Sequence, residues 1–188
     1  YPEGFDPVKI WVTTDYVRAV RGGVGEAKTA GNYAASLYAT ELAHKDGYTQ
    51  VLWLDGVELK YIEEVGSMNI FFVIGDELVT PKLNGSILSG ITRDSVITMA
   101  RSWGMSVVDR RISRDEVYEC HRTGELKEVF GSGTAAVISP VGQIKYNNQE
   151  IVIGGGTVGP LASRMFTELM DIQYGKAEDP FNWIHPLG

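Results

Sequence analysis

Residues 25–36, GEAKTAGNYAAS, carry the chain out of a glycine-rich turn and into a helix, and they set one lysine, Lys28, at the switch. Upstream, PVKIWVTTDYV (7–17) alternates β-branched and aromatic residues as a strand does, before Gly22-Gly23-Val24-Gly25. Downstream, NYAASLYATELAHKDG (32–47) spaces its apolar residues helically, with Asn32 as the expected N-cap and Gly47 after the last turn. Strand, helix, strand then recurs. TQVLWLD (49–55) and SMNIFFVIGDELVTP (67–81) read as strands, the latter a pair joined by a Gly75-Asp76 turn. GITRDSVITMARSWGM (90–105) is a helix with Thr92 as expected N-cap, and SVVDRRI (106–112) a strand. A Ser113-x-x-Glu116 capping box opens a short helix, and EVFGSGTAAVISPVGQI (128–144) reads as strand, turn and strand. KYNNQEIVI (145–153) is a hairpin, and a last helix has Pro160 near its first turn. The pattern predicts a mixed α/β fold.

Composition narrows the function classes. At 188 residues, 44% hydrophobic and 22% charged, the chain can bury one good core. A net charge of −7 and no block of lysines or arginines argue against a nucleic-acid partner. The single cysteine, Cys120, cannot form an internal disulfide, and no Cys/His spacing suggests a metal, so a reducing, cytoplasmic setting without metal is expected. His44, His121 and His185 are too scattered for a ligand set, and Trp53 and Trp103 read as packing residues. No apolar run approaches the ~20 residues of a membrane helix, so no membrane partner is expected. YPEGFDPVKI (1–10) is turn-rich and reads as an interdomain linker, with a further domain expected upstream. The expected divisions are therefore a linker remnant over 1–8, a large domain over 9–175 and a tail over 176–188, the tail either docked on another subunit or flexible.

Lys28 has little around it to pack on, which suits an amine that projects into a cleft. A lysine nucleophile that forms a Schiff base needs such a setting. Three other stretches give it company. EEVGSMNIFF (63–72) puts Glu63 and Glu64 before a glycine turn, where a carboxylate could hold a pyridine nitrogen in its protonated form. SGITRD (89–94) sets Gly90, Ile91 and Thr92 at a helix start, whose free amides favour a phosphate. FGSGTAAV (130–137) offers a second turn of amides with the Thr134 hydroxyl, suited to a phosphate oxygen or a carboxylate. Taken singly, these are as readily a solvated lysine, a strand-end carboxylate, a capped helix and a tight turn. Together they fit pyridoxal phosphate.

KTAGNY, EEVGSMNIFF, LSGITRDS and FGSGTAAVISPV, in this order and over nearly the whole chain, resemble the large C-terminal domain of branched-chain amino acid aminotransferases, of pyridoxal-phosphate fold type IV. GPLASRMFTELMDIQYGK resembles the closing helix of that family. The resemblance implies a mixed sheet forming a partial barrel flanked by helices, with 9–175 as the cofactor-binding domain and the small N-terminal domain absent. It implies a homodimer and transamination of L-leucine, L-isoleucine and L-valine with 2-oxoglutarate. By the same resemblance Lys28 is the catalytic Schiff-base lysine, Glu64 meets the pyridine nitrogen, and Tyr33 meets the phenolic oxygen. Arg18 lies near the cofactor, and Ile91, Thr92 and Thr134 hold the phosphate. Thr134 and Ala135 receive the substrate carboxylate, Ser67 supports the turn, and Glu63 has no role. Some members carry a Cys-x-x-Cys pair where this chain has Ala136 and Ser139, so thiol regulation there is not expected. Within the same fold group, a D-amino acid aminotransferase or a 4-amino-4-deoxychorismate lyase is the alternative, which EEVGSMN and GSGTA disfavour. From another class, a non-catalytic phosphate- or nucleotide-binding module would use GGVG, GSGTA and IGGGTVGP, but GGVG lacks the Lys-Ser/Thr ending of a P-loop.

Overall fold

The computed structural model describes residues 4–185. In chain order the elements are β1 (Val8–Val12), α1 (Ala30–Lys45), β2 (Gln50–Leu54), β3 (Ile62–Val65), β4 (Met68–Ile74), β5 (Glu77–Pro81), α2 (Ile91–Ser102), β6 (Ser106–Arg110), α3 (Arg114–Thr123), β7 (Leu126–Gly133), β8 (Val137–Tyr146), β9 (Gln149–Val152) and α4 (Pro160–Gln173). The sheet runs β3-β2-β1-β8-β7-β4-β5-β6, with β9 on β8. β3 also pairs with β4, so six strands close into a barrel from which β5–β6 and β9 extend. β1 lies parallel to β2 and β8, and β5 parallel to β6.

Closure explains why MNIFFVI reads as an almost unbroken apolar run. Both faces of β4 are covered, so neither set of alternating side chains can be polar without a partner. Met68, Ile70 and Phe72 join Ile10, Leu52 and Val65 inside the barrel. Phe71 and Val73 point outward, where Val96 and Met99 of α2 and Met165 and Leu169 of α4 cover them. α1 lays Ala39 and Ala43 over Val51 and Trp53 on the outer face of β2. Trp53 is thus a packing residue, and Trp103 lies under the Arg164 guanidinium, 3.8 Å from its ring centroid.

Two expected helix caps fall elsewhere. The N-cap of α1 is Thr29, not Asn32, and that of α2 is Gly90, not Thr92. Asn32 serves a different contact. Its Nδ2 donates to the carbonyls of Val24 and Ala27, each at 2.8 Å, and ties the glycine-rich turn to the helix. Ser113 and Pro160 stand as expected, Ser113 Oγ accepting the Glu116 amide at 3.1 Å. Glu116 itself turns away from the box to pair with Arg110. The first amides of α4 are met from outside the helix, where Glu128 Oε1 accepts from Leu161 and Oε2 from Ala162, both at 2.9 Å. Strand β3 gives no strand signal in the sequence because it has only four residues, two of them glutamates. The tail folds back, Phe181 packing against the outer core and stacking on Trp183 at 4.4 Å. Residues 1–3 of the expected linker and 186–188 of the tail lie outside the described residues.

Candidate active site

Two adjoining cavities on the outer side of the barrel share Lys28, Glu64, Ser67 and Leu88 in their walls. The first continues to Arg18, Asn32 and Tyr33. The second, about 170 Å³, continues to Asn69, Gly90, Ile91, Thr92, Ser132 and Thr134. Lys28, Glu64, Arg18, Tyr33, Ser67, Ile91, Thr92 and Thr134 are therefore brought together from well-separated stretches of chain. Ala135 sits in the exposed turn next to Thr134, outside both walls.

The floor is a polar row across three strands. Glu64 of β3 stands opposite Asn69 of β4, which stands opposite Ser132 of β7. Directly opposed residues project from the same face, and this face is the one turned away from the barrel core. The pairing of β2 with β3 slips by one residue at Glu63, so Glu63 and Glu64 both stay out of the apolar interior. Glu63 is buried, and its Oε1 accepts from Asn84 Nδ2 at 2.9 Å and from Ser86 Oγ. It anchors the loop between β5 and α2.

Glu64 is 3% exposed. Its Oε1 accepts from the Leu88 amide at 3.0 Å and, more loosely, from Asn69 Nδ2 at 3.4 Å. Its Oε2 lies 2.8 Å from Arg18 Nε, whose N–H is not aimed at that oxygen, so the contact is an ion pair without hydrogen-bond alignment. Arg18 Nη2 donates instead to Ser86 O, with Gly25 O at 3.5 Å. Burial dominates and pushes the Glu64 carboxyl up to about 7, against the opposing pull of Arg18, the Leu88 amide and Lys28. A cationic N–H donor entering the cavity would favour the ionised form.

Two glycines owe their place to close approach. A Cβ on Gly25 would lie 2.3 Å from Ser86 O, so the GGVG turn is pressed against the β5–α2 loop. A Cβ on Gly90 would lie 2.2 Å from Asn69 Oδ1. Sequence reasoning missed Asn32, Asn69, Leu88 and Ser132. A two-residue Gly66-Ser67 turn in EEVGSMN would have set Asn69 opposite Glu64, but nothing local marks Ser132 or Leu88.

The amino-transferase class IV family model matches residues 2–144, and the chain belongs to that family. It is 59% identical over 177 residues to branched-chain-amino-acid transaminase 1 of Bacillus subtilis (strain 168), covering 94% of this chain and 50% of that protein. It is 49% identical over 187 residues to a probable branched-chain-amino-acid aminotransferase of Streptomyces coelicolor, covering 100% of this chain and 52% of that protein. Among solved structures it superposes on Escherichia coli branched-chain amino acid aminotransferase with a TM-score of 0.84 at 32% identity, over 99% of this chain and 58% of that one. The T.th. branched-chain amino acid aminotransferase with pyridoxamine 5'-phosphate gives 0.81 at 32% identity, over 98% and 58%. The chain spans about half the length of the curated relatives it matches.

Among the described residues no group of three or more His, Cys, Asp or Glu side chains could hold a metal ion. No helix among them is long and apolar enough to cross a membrane. Cys120 is buried. Among the cavity residues Tyr33 and Ile91 are exposed, and Val24, Leu37 and Tyr38, on and just before α1, are exposed as well.

Proposed function

We propose that this chain is the cofactor-binding large domain of a pyridoxal-phosphate-dependent transaminase. In the whole protein it would exchange amino groups between branched-chain L-amino acids and 2-oxoglutarate. The observation that carries the reading is that Lys28 and a buried Glu64 of raised proton affinity face the same cavities. The donor set fits pyridoxal phosphate: an amine for its aldehyde, a carboxylate short of positive compensation for its ring nitrogen, and the first amides of α2 for its phosphate. The Ser132 hydroxyl, buried in the cavity wall and without a hydrogen-bond partner among the described residues, is one more group suited to a ligand atom.

When bound, the cofactor supplies an aldehyde that condenses with amines and a protonated ring that withdraws the electron pair left at the substrate Cα. Lys28 would hold that aldehyde through its amine and, when free, would carry the proton to and from the substrate Cα. Glu64 would hold the ring nitrogen in its protonated form, with Arg18 keeping Glu64 in place. Tyr33 would donate to the ring oxygen. Ile91, Thr92 and Thr134 would bind phosphate, Thr134 and Ala135 would receive the substrate carboxylate, and Ser67 would support the turn beneath them. We assign the chain divisions 1–8, 9–175 and 176–188 to linker, large domain and tail. The exposed apolar residues on and beside α1 support a homodimer in which they are covered, and the single cysteine, buried and without a disulfide partner, supports a cytoplasmic setting.

Pyridoxal phosphate added to the protein should acquire a longer-wavelength absorbance band that Lys28→Ala abolishes, while ATP leaves the spectrum unchanged. An unaltered band in Lys28→Ala would remove Lys28 from the chemistry. In the full-length protein, amino transfer to 2-oxoglutarate from L-leucine and not from D-leucine separates this reading from the D-specific alternative.

A further inference from the structure

We infer that Asn69 is a positioning residue that sets the spacing between the Glu64 carboxylate and the N-terminal amides of α2, so that one ligand meets both. The inference rests on the reading just given. Asn69 is 6% exposed and stands between Glu64 and Ser132 in the cross-strand row. Its Nδ2 donates to Leu88 O at 2.9 Å and lies 3.4 Å from Glu64 Oε1. Both neighbours are acceptors, which decides how the amide is oriented. The backbone of Leu88 is therefore held on both sides, its N–H by Glu64 at 3.0 Å and its carbonyl by Asn69.

Two residues on, the other end of the same amide reaches α2. Asn69 Oδ1 fills the space that a Cβ of Gly90 would take, at 2.2 Å, and Gly90 is the N-cap of α2. Its φ of −72° suits any residue, so glycine is required here by the asparagine and not by the backbone. One side chain thus fixes Leu88 and Gly90 against Glu64, and the free amides of Ile91 and Thr92 follow directly. A ligand with a basic ring nitrogen and a phosphate has both ends fixed by this spacing. An asparagine that only satisfied Leu88 O would not link the two ends.

The test compares pyridoxal phosphate with pyridoxal, which lacks the phosphate. Each is titrated into wild type, Asn69→Ala and Asn69→Asp and followed by absorbance, with urea unfolding of each variant to establish the folded fraction. The ratio of the two dissociation constants reads what the phosphate contributes. Asn69→Asp keeps the size but presents two acceptors to two acceptors and adds a charge beside Glu64, so the uncharged Asn69→Ala is the variant that decides. Both variants should lower the ratio about tenfold, the loss expected for a misplaced charged contact. Pyridoxal affinity should change less. If Asn69 merely supports the fold, the two affinities fall together and the ratio stays at the wild-type value, which overturns the inference. A wild-type protein that takes up neither compound overturns the proposed function, and the inference with it.

Discussion

Arg18, in the irregular segment after β1, lies 2.8 Å from a carboxylate oxygen of Glu64 on β3, and both side chains are buried. The same guanidinium binds Ser86 O, so one residue joins the carboxylate, the loop ahead of α2 and the turn that carries Lys28. Burying two charges is costly, and each offsets only part of what the other lost in water, which is why the Glu64 carboxyl stays raised.

Removing one partner should therefore be worse than removing both. Arg18→Leu is expected to cost about 3 kcal/mol in urea unfolding, since it strands a buried carboxylate and frees Ser86 O. Adding Glu64→Gln to it should restore part of that loss. A double variant less stable than Arg18→Leu alone would contradict the ion-pair account.

Stability should also depend on pH through Glu64. Its folded value of about 7 lies above the ordinary 4.5, so between these values the native protein holds more proton than the unfolded chain. The stabilisation from this group is fully present below pH 4.5 and is lost as pH rises through 7, a change of about 3 kcal/mol. The ligand-free protein should lose this increment between about pH 4.5 and 7, and Glu64→Gln should lack it. A difference between the two that grows with pH in favour of wild type would have the wrong sign.

Glu128→Gln replaces one acceptor by a donor facing an amide of Leu161 or Ala162. The substitution removes a buried carboxylate cap from α4 and should cost about 1–2 kcal/mol in thermal or urea unfolding. Because Glu128 lies outside both cavities, pyridoxal phosphate uptake by the folded protein should be unchanged.

Two glycines near Lys28 should respond in opposite ways to alanine. At Gly25 the new methyl would meet backbone atoms of Ser86 from 2.3 Å and cannot be relieved by a rotamer change, so about 1–3 kcal/mol is lost. At Gly31, inside α1, nothing lies within 4 Å, and alanine should stabilise by about 0.5–1 kcal/mol. Denaturation midpoints of the two variants check both signs.

Much of the fold was legible. The hairpin at Gly75-Asp76, the Ser113 cap and Pro160 at the start of α4 all follow from interactions within a few residues. The caps of α1 and α2 fall elsewhere than expected because Asn32 turns back to the carbonyls of Val24 and Ala27 in the preceding turn, while Gly90 is packed against Asn69 of a remote strand. Glu63 looked dispensable beside Glu64. It is buried because a slipped register turns both side chains outward, where Asn84 and Ser86 bind the first and Arg18 and Leu88 the second.

The order of residues by itself determined most of the elements, the lysine at the mouth of a helix and the supply of carboxylate, amides and hydroxyls, since these depend on local propensity and residue chemistry. Only the tertiary structure decided which of them meet. Barrel closure through two residue pairs of β3 and β4 puts Glu64 beside Asn69, and β7 then brings Ser132 from 63 positions further along the chain. Such long-range pairing is a property of the packed sheet, because its energy comes from burial and hydrogen bonds shared among strands that carry no mark of one another.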